Sequence, residues 1–359
     1  MIERLDTSLL LSWLLILALG TVMVTSTGIA VDPALLPRQV VFLLLALVGF
    51  AVVALIPLVV WQSVYRLAWL AAAVLCALVL VPGIGLEANG AQRWIPLGGF
   101  TLQPAETAKF FLLVYLAGYL ARFHEEIADD TLALLKPLAM VGMVAALLLA
   151  QPDFGTAVVI LAAASALLFL AGARLRHYLL IAVVGLSGLT LLVYLEPYRM
   201  ARVLGFLDPW ADPNNGGYQL VQSLIAFGRG ETFGLGLGEG IQKFYLPEAE
   251  TDFIYAVVAE ELGLVGAVLV IGLFTYLVLR MLRIGRQALE LEQRFAAYLV
   301  YGVALMLGFQ ALVSFGVNTG VLPTKGLTLP FVSYGGNSLI VSCAMLALVL
   351  RAAWEAEDG

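Results

Sequence analysis

Ten apolar runs, most near the roughly 20 residues that an α-helix needs to cross about 30 Å of hydrocarbon, divide this chain from end to end. Their cores fall at 8–25, 39–57, 64–81, 106–122, 137–150, 155–172, 178–195, 253–279, 294–317 and 329–351. Leu, Ala, Val and Gly fill them without polar alternation. That favours helices, which satisfy their own backbone in lipid, over barrel strands. Only 12% of the 359 residues are charged, against about a quarter in an ordinary soluble domain. The expected fold is an all-α polytopic membrane protein, one unit over 1–359. The first run lacks a small-residue cleavage site and reads as a retained span. Cys76 and Cys343 lie inside runs, so neither a disulfide framework nor a Cys/His metal site is expected. No basic stripe suggests nucleic acid.

Cytoplasmic loops are enriched in Lys and Arg. With the N-terminus inside, that face holds Arg4, Arg66, Arg122, Lys136, Arg174, Arg176, Arg280, Arg283, Arg286, Arg294 and Arg351. Short outer segments hold Arg38, Arg93, Lys109 and Lys325. Both termini are therefore expected in the cytoplasm. The connection between the seventh and eighth runs, residues 196–252, becomes a large extracytoplasmic loop, and loops of that size are usually functional or disordered. Its Trp210, Tyr218, Phe206 and Phe227 argue against disorder. Within it, "GYQLVQSLIAFGRG" has helical apolar spacing and predicts a short amphipathic helix. "GRGETFGLGLGEG" has no preceding strand and carries no dinucleotide fingerprint.

Ionisable groups near spans are expensive in lipid and point to function or to structural pairing. Four groups stand at the outer side. In "NGAQRWIPLGGFTLQPAETAKF", Arg93 and Lys109 suit an anion and Trp94 the interface, although Glu106 and Lys109 also read as a plain i, i+3 pair. Asp153 in "QPDFGTA", in a tight outer hairpin, reads first as a routine helix cap. "LPEAETDFIYAVVAEELG" places Asp252 at the start of the eighth run, where base and cap are both open readings. Glu260 and Glu261 follow about 12 Å deeper; with Glu261 on the face opposite Asp252, the two are expected to act separately, as buried supports. Finally, "NTGVLPTKGLTLPFVSYGGNS" sets Lys325 between two prolines and interrupts the tenth run at Ser333, Gly335 and Gly336. Irregular backbone survives in membranes where it is buried in protein or lines a wet cavity, and a close helix crossing is the other use of such glycines.

These blocks, in this order and over nearly the whole chain, resemble the SEDS family (shape, elongation, division and sporulation) of peptidoglycan glycosyltransferases. The signature is carried by Asn318, Pro323, Gly326, Pro330, Ser333, Gly335 and Gly336. The blocks look more like the division branch than the elongation branch. Two positions depart from the pattern: the family commonly has His at Glu250, and Ser or Ala at Asn337.

The resemblance implies that Asp252 is the essential acid of the outer loop and the general base for a sugar hydroxyl. It implies lipid II as substrate, bound near Arg93, Trp94, Glu106, Lys109, Lys325, Ser333, Gly335 and Gly336. It also implies a single-span penicillin-binding protein transpeptidase and other divisome proteins as partners, at the septal cytoplasmic membrane. A divalent cation, Mg or Mn, is compatible with it. Lipid II flipping and a non-catalytic scaffold are the competing functions.

Overall fold

The computed structural model describes residues 6–30, 32–88, 91–127, 129–195, 200 and 205–358. Arg4 and the opening of the outer loop, residues 196–199 and 201–204, lie outside the described residues.

Each predicted run contains a helix. In chain order these are α1 (Thr7–Gly28), α2 (Leu35–Leu55), the short α3 (Leu58–Ser63), α4 (Tyr65–Leu78), α5 (Pro104–Arg122), α6 (Thr131–Ala150), α7 (Phe154–Leu170) and α8 (Leu175–Tyr194). Then come α9 (Tyr218–Gly230), which is the expected loop helix, α10 (Ile254–Glu290), α11 (Arg294–Asn318) and α12 (Gly336–Asp358). Among the described residues six helices are long and apolar enough to cross a membrane, with α4 and α7 shorter and apolar. The protein is a multi-pass membrane protein. Its last helix starts at Gly336, seven residues beyond the expected 329, because residues 330–335 are spent on turns.

Burial sorts the helices into centre and rim. Two thirds (67%) of the apolar window of α11 is buried, against 11% for α2. Apolar on all sides, α11 packs on α10, α5, α7 and α12, whereas α2 packs chiefly on α12 and turns its other face to lipid. Polar side chains fix several helix starts. Asp6 caps α1 by accepting from Leu9 N (3.0 Å), and Asp130 caps α6 through Leu132 N (2.8 Å).

One element departs from an all-helical chain. Leu86–Ala88, Ala91–Pro96 and Thr101–Leu102 form a three-stranded antiparallel sheet, β1 to β3, between α4 and α5. It is too short for a period-two pattern to have shown it, and it carries Arg93 and Trp94.

The 37-residue α10 is two rods, because Gly263 inside it has φ 70° and ψ −170°, a conformation open essentially to glycine. The glycine-rich loop after α9 fills the break. Leu235 N and Gly236 N donate to Glu260 O (3.0 Å) and Glu261 O (3.1 Å), while Leu264 N and Val265 N donate to Glu231 O (2.9 Å) and Thr232 O (3.1 Å). Four main-chain groups that a broken helix would orphan in a membrane are thereby satisfied.

Candidate active site

The site begins with a helix that lacks a cap of its own. The N-cap of α10 is Phe253, with no side-chain hydrogen bond, so Asp252 stands one residue outside the capping position. The turn before it is closed by Thr251 N and Phe253 N on Glu248 O (3.2 and 3.0 Å).

Its next three carbonyls are gripped one after another from the segment 318–334. Tyr334 N donates to Glu250 O (2.8 Å), Ser333 Oγ to Thr251 O (2.6 Å), and Asn318 Nδ2 to Asp252 O (2.8 Å). Ser333 Oγ also accepts from Leu329 N (2.8 Å). Between the grips lies Gly326, where a Cβ would fall 3.2 Å from Asp252 Oδ2. The absence of a side chain there lets the carboxylate lie against the loop. Around it, burial pushes the Glu250 carboxyl above the usual carboxylate range, and the Glu248 charge adds to this.

Lys325 continues the loop towards the hairpin between α6 and α7, its Nζ 3.9 Å from the centroid of Phe154. Asp153, just before, caps α7 through Thr156 N (3.2 Å). Arg93 reaches the same hairpin from β2, with Nε donating to Gln151 O (3.0 Å) and Nη2 to Pro152 O (2.5 Å). Trp94, opposite Leu86 in the sheet, is partly exposed beside it.

Beneath the loop runs a buried polar chain. Lys109 Nζ lies 2.7 Å from Glu106 Oε2, the i, i+3 pair, and donates to Gln310 Oε1 at 2.7 Å. Gln310 Nε2 donates to Thr328 O (3.0 Å), and Thr328 Oγ1 meets Ser338 Oγ at 2.9 Å. Lys109 is 1% exposed, so any anion it serves must enter the interior. Gly336 serves a close crossing: a Cβ there would stand 2.3 Å from the Phe42 ring of α2. Asn337, one of the departures, ties α12 to the sheet by donating to Thr101 O (2.8 Å) and accepting from Gln103 N (3.2 Å).

Glu260 and Glu261 lie at the other end of the short rod, just before Gly263, and there one expectation is corrected. They were expected to act apart because they face different sides of α10, yet both carboxylates close on the same loop, within 3.0 Å of a Cβ built on Gly240. The loop wraps the helix at the break and so meets both faces. Glu260 accepts from Arg229 Nε (3.0 Å), Ile241 N (3.1 Å) and Gln242 N (2.9 Å). Glu261 accepts from Lys243 Nζ (2.8 Å), Ser26 Oγ (2.6 Å) and Gly238 N (3.0 Å).

The sequence reading missed Lys243, Arg229 and Gln310. Nothing local marks them, since each partner lies 18 to 201 positions away. Among the described residues, no three His, Cys, Asp or Glu side chains converge on a metal-binding geometry. Glu248, Glu250 and Asp252 share one turn, but their carboxylates do not converge as a ligand set, and this arrangement does not fit a resident cation.

A polytopic helical bundle with an acidic turn gripped by a Gly-Pro-rich signature segment defines a class. The chain belongs to the FtsW/RodA/SpoVE family of cell cycle proteins, which it matches over residues 6–358. A probable peptidoglycan glycosyltransferase FtsW of Pseudomonas fluorescens is 46% identical over 98% of this chain and 88% of its own length. Its counterpart in Nitrosococcus halophilus is 50% identical over 94% and 89%. Among solved structures, a chain of a peptidoglycan synthase complex that coordinates polymerization and crosslinking superposes with a TM-score of 0.81, at 34% identity over 99% of both chains. The rod shape determining protein RodA of Thermus thermophilus superposes at 0.73, with 33% identity over 97% of this chain and 96% of that one.

Proposed function

We propose that this chain is a peptidoglycan glycosyltransferase of the FtsW type, polymerising lipid II at the outer face of the cytoplasmic membrane with Asp252 as general base. The observation that carries the reading is the triple grip on the carbonyls of 250–252, which fixes one carboxylate against the family signature. Relatives named as peptidoglycan glycosyltransferases support the reaction class.

In the proposed step Asp252 takes the proton of the GlcNAc 4-hydroxyl of one lipid II. The oxygen attacks the anomeric carbon of the growing chain, whose bond to undecaprenyl pyrophosphate breaks on the opposite face. An α-linked donor becomes a β-1,4 linkage, hence inversion. General-base help is worth about 10² to 10⁴ in rate. The leaving pyrophosphate needs positive charge. Lys325 adjoins Gly326, which lies against the Asp252 carboxylate, whereas Lys109 is buried on Glu106 and Arg93 holds the 151–152 carbonyls. No step is routed through a metal.

The site is septal, both termini are cytoplasmic, and the partner is a single-span transpeptidase with other divisome proteins. A synthase complex among the structural neighbours supports a partner of that kind. The test is reconstitution with the transpeptidase and lipid II. Asp252→Asn is expected to bind lipid II while glycan-strand synthesis falls about 10² to 10⁴. Normal polymerisation by that variant sinks the base assignment, and lipid II translocation without polymerisation by the wild type replaces the enzyme with a flippase.

A further inference from the structure

Asn318 ends α11, and its side chain is fully buried. Its amide makes three hydrogen bonds, one to α10, one to the turn before it and one within α11. Oδ1 accepts from Ala256 N (3.0 Å) in the first turn of α10, and Nδ2 donates to Asp252 O (2.8 Å) and to Ser314 O (2.8 Å). An asparagine amide has two N–H donors and one acceptor oxygen, so both donors and the oxygen are engaged.

A helix exposes four orphan N–H groups at its start, and Phe253, at the cap position of α10, has no side-chain hydrogen bond to offer them. Asn318 takes over that duty from outside the helix. The same amide bonds on both sides of the point where turn becomes helix, at Asp252 and at Ala256. We infer that Asn318 is a positioning residue for Asp252: a cap supplied in trans that fixes the main chain under the carboxylate. This rests on the base assignment above and extends it to a residue that cannot itself touch substrate.

Two features set this apart from simple packing. Ser223 Oγ of α9 donates to the carbonyl of the same Asn318 (2.7 Å), so the residue has one buried bond that serves stability without reaching Asp252. Ser333 grips the adjacent Thr251 carbonyl from the far end of the signature segment, so removing Asn318 leaves the turn tethered on one side and free to rotate on the other.

The experiment compares Asn318→Ala, Asn318→Asp and Ser223→Ala in the reconstituted full-length protein with its transpeptidase, reading kcat and KM for lipid II beside the melting temperature. Asn318→Ala is expected to lower kcat about tenfold to a hundredfold, the loss that follows from roughly 1 Å of misplacement, with KM within about twofold. Ser223→Ala is expected to lower the melting temperature while keeping wild-type kcat. Asn318→Asp keeps an acceptor for Ala256 N and loses the donor to Asp252 O, and its kcat should fall as well; it carries the test if the alanine variant does not fold. Wild-type kcat in either Asn318 variant overturns the inference, as does an equal kcat loss in Ser223→Ala. Asp252→Asn separates the two proposals. If it stays active the base assignment falls, and if it is inactive while Asn318→Ala is normal, only the positioning role falls.

Discussion

The short rod of α10 before Gly263 has acidic groups at each end, and the bonds described at the two ends fall on different atoms. At Asp252 the neighbours grip the main chain, three carbonyls in succession. At Glu260 and Glu261 they grip the carboxylates themselves, with Arg229 and Lys243 as counter-ions and backbone N–H groups filling the remaining acceptor sites. A carboxylate locked into buried ion pairs has its charge and geometry committed to the fold. At Asp252 the position of the acid is fixed through main-chain bonds that its own carboxylate does not have to make.

Exchanging the two kinds of damage is the strongest way to break this contrast. Asp252→Asn should cost about 10² to 10⁴ in polymerisation rate and leave the melting temperature near wild type; a large drop in melting would place Asp252 with the structural acids. Lys243→Met should do the reverse. It strands Glu261, whose side chain is 0% exposed, and breaking a buried pair costs about 3 to 5 kcal/mol. Lys243→Met with Glu261→Leu should recover much of that loss in a thermal melt, and failure to recover would mean that the charges do more than balance each other.

Gly326→Ala sharpens the upper end. Its new methyl would press on Asp252 Oδ2 at 3.2 Å, so kcat should fall about tenfold with little change in melting. An unchanged kcat would show that the carboxylate works from elsewhere.

The smallest effect concerns pH. Because the folded Glu250 carboxyl titrates above its ordinary 4.5, the native state binds its proton more readily than the unfolded chain. Stability from this group is greatest below 4.5 and declines as pH rises through the folded value. Glu250→Gln should therefore melt slightly higher than wild type at neutral pH, and the gap should close below 4.5. A gap that widens in acid would reverse the assigned cause.

The apolar runs were legible because hydrocarbon imposes one length and one composition on whatever crosses it. Asp252 was legible as an acid at a helix start, but that Phe253 holds the cap position and that Ala256 N is met by Asn318, 62 positions on, was not. The reach of Lys243 to Ser26, 217 positions away, leaves no local trace. Neither does the wrapping of Glu260 and Glu261 by a single loop, since helical geometry alone sends the two side chains in different directions. The small sheet was hidden for a plainer reason: strands of two, three and six residues are too brief to establish alternation.

The break at Gly263 also works as a length gauge. An unbroken helix of 37 residues would measure about 55 Å, overshooting even the full bilayer of about 40 to 45 Å. Divided at Gly263, the stretch Leu264–Glu290 alone measures about 40 Å, enough to reach from one headgroup layer to the other. The remaining piece, Ile254–Leu262, is about 13 Å long and no longer has to follow the tilt of the part below it. The kink thus separates the length that a membrane crossing needs from the short rod whose first residues the signature segment holds.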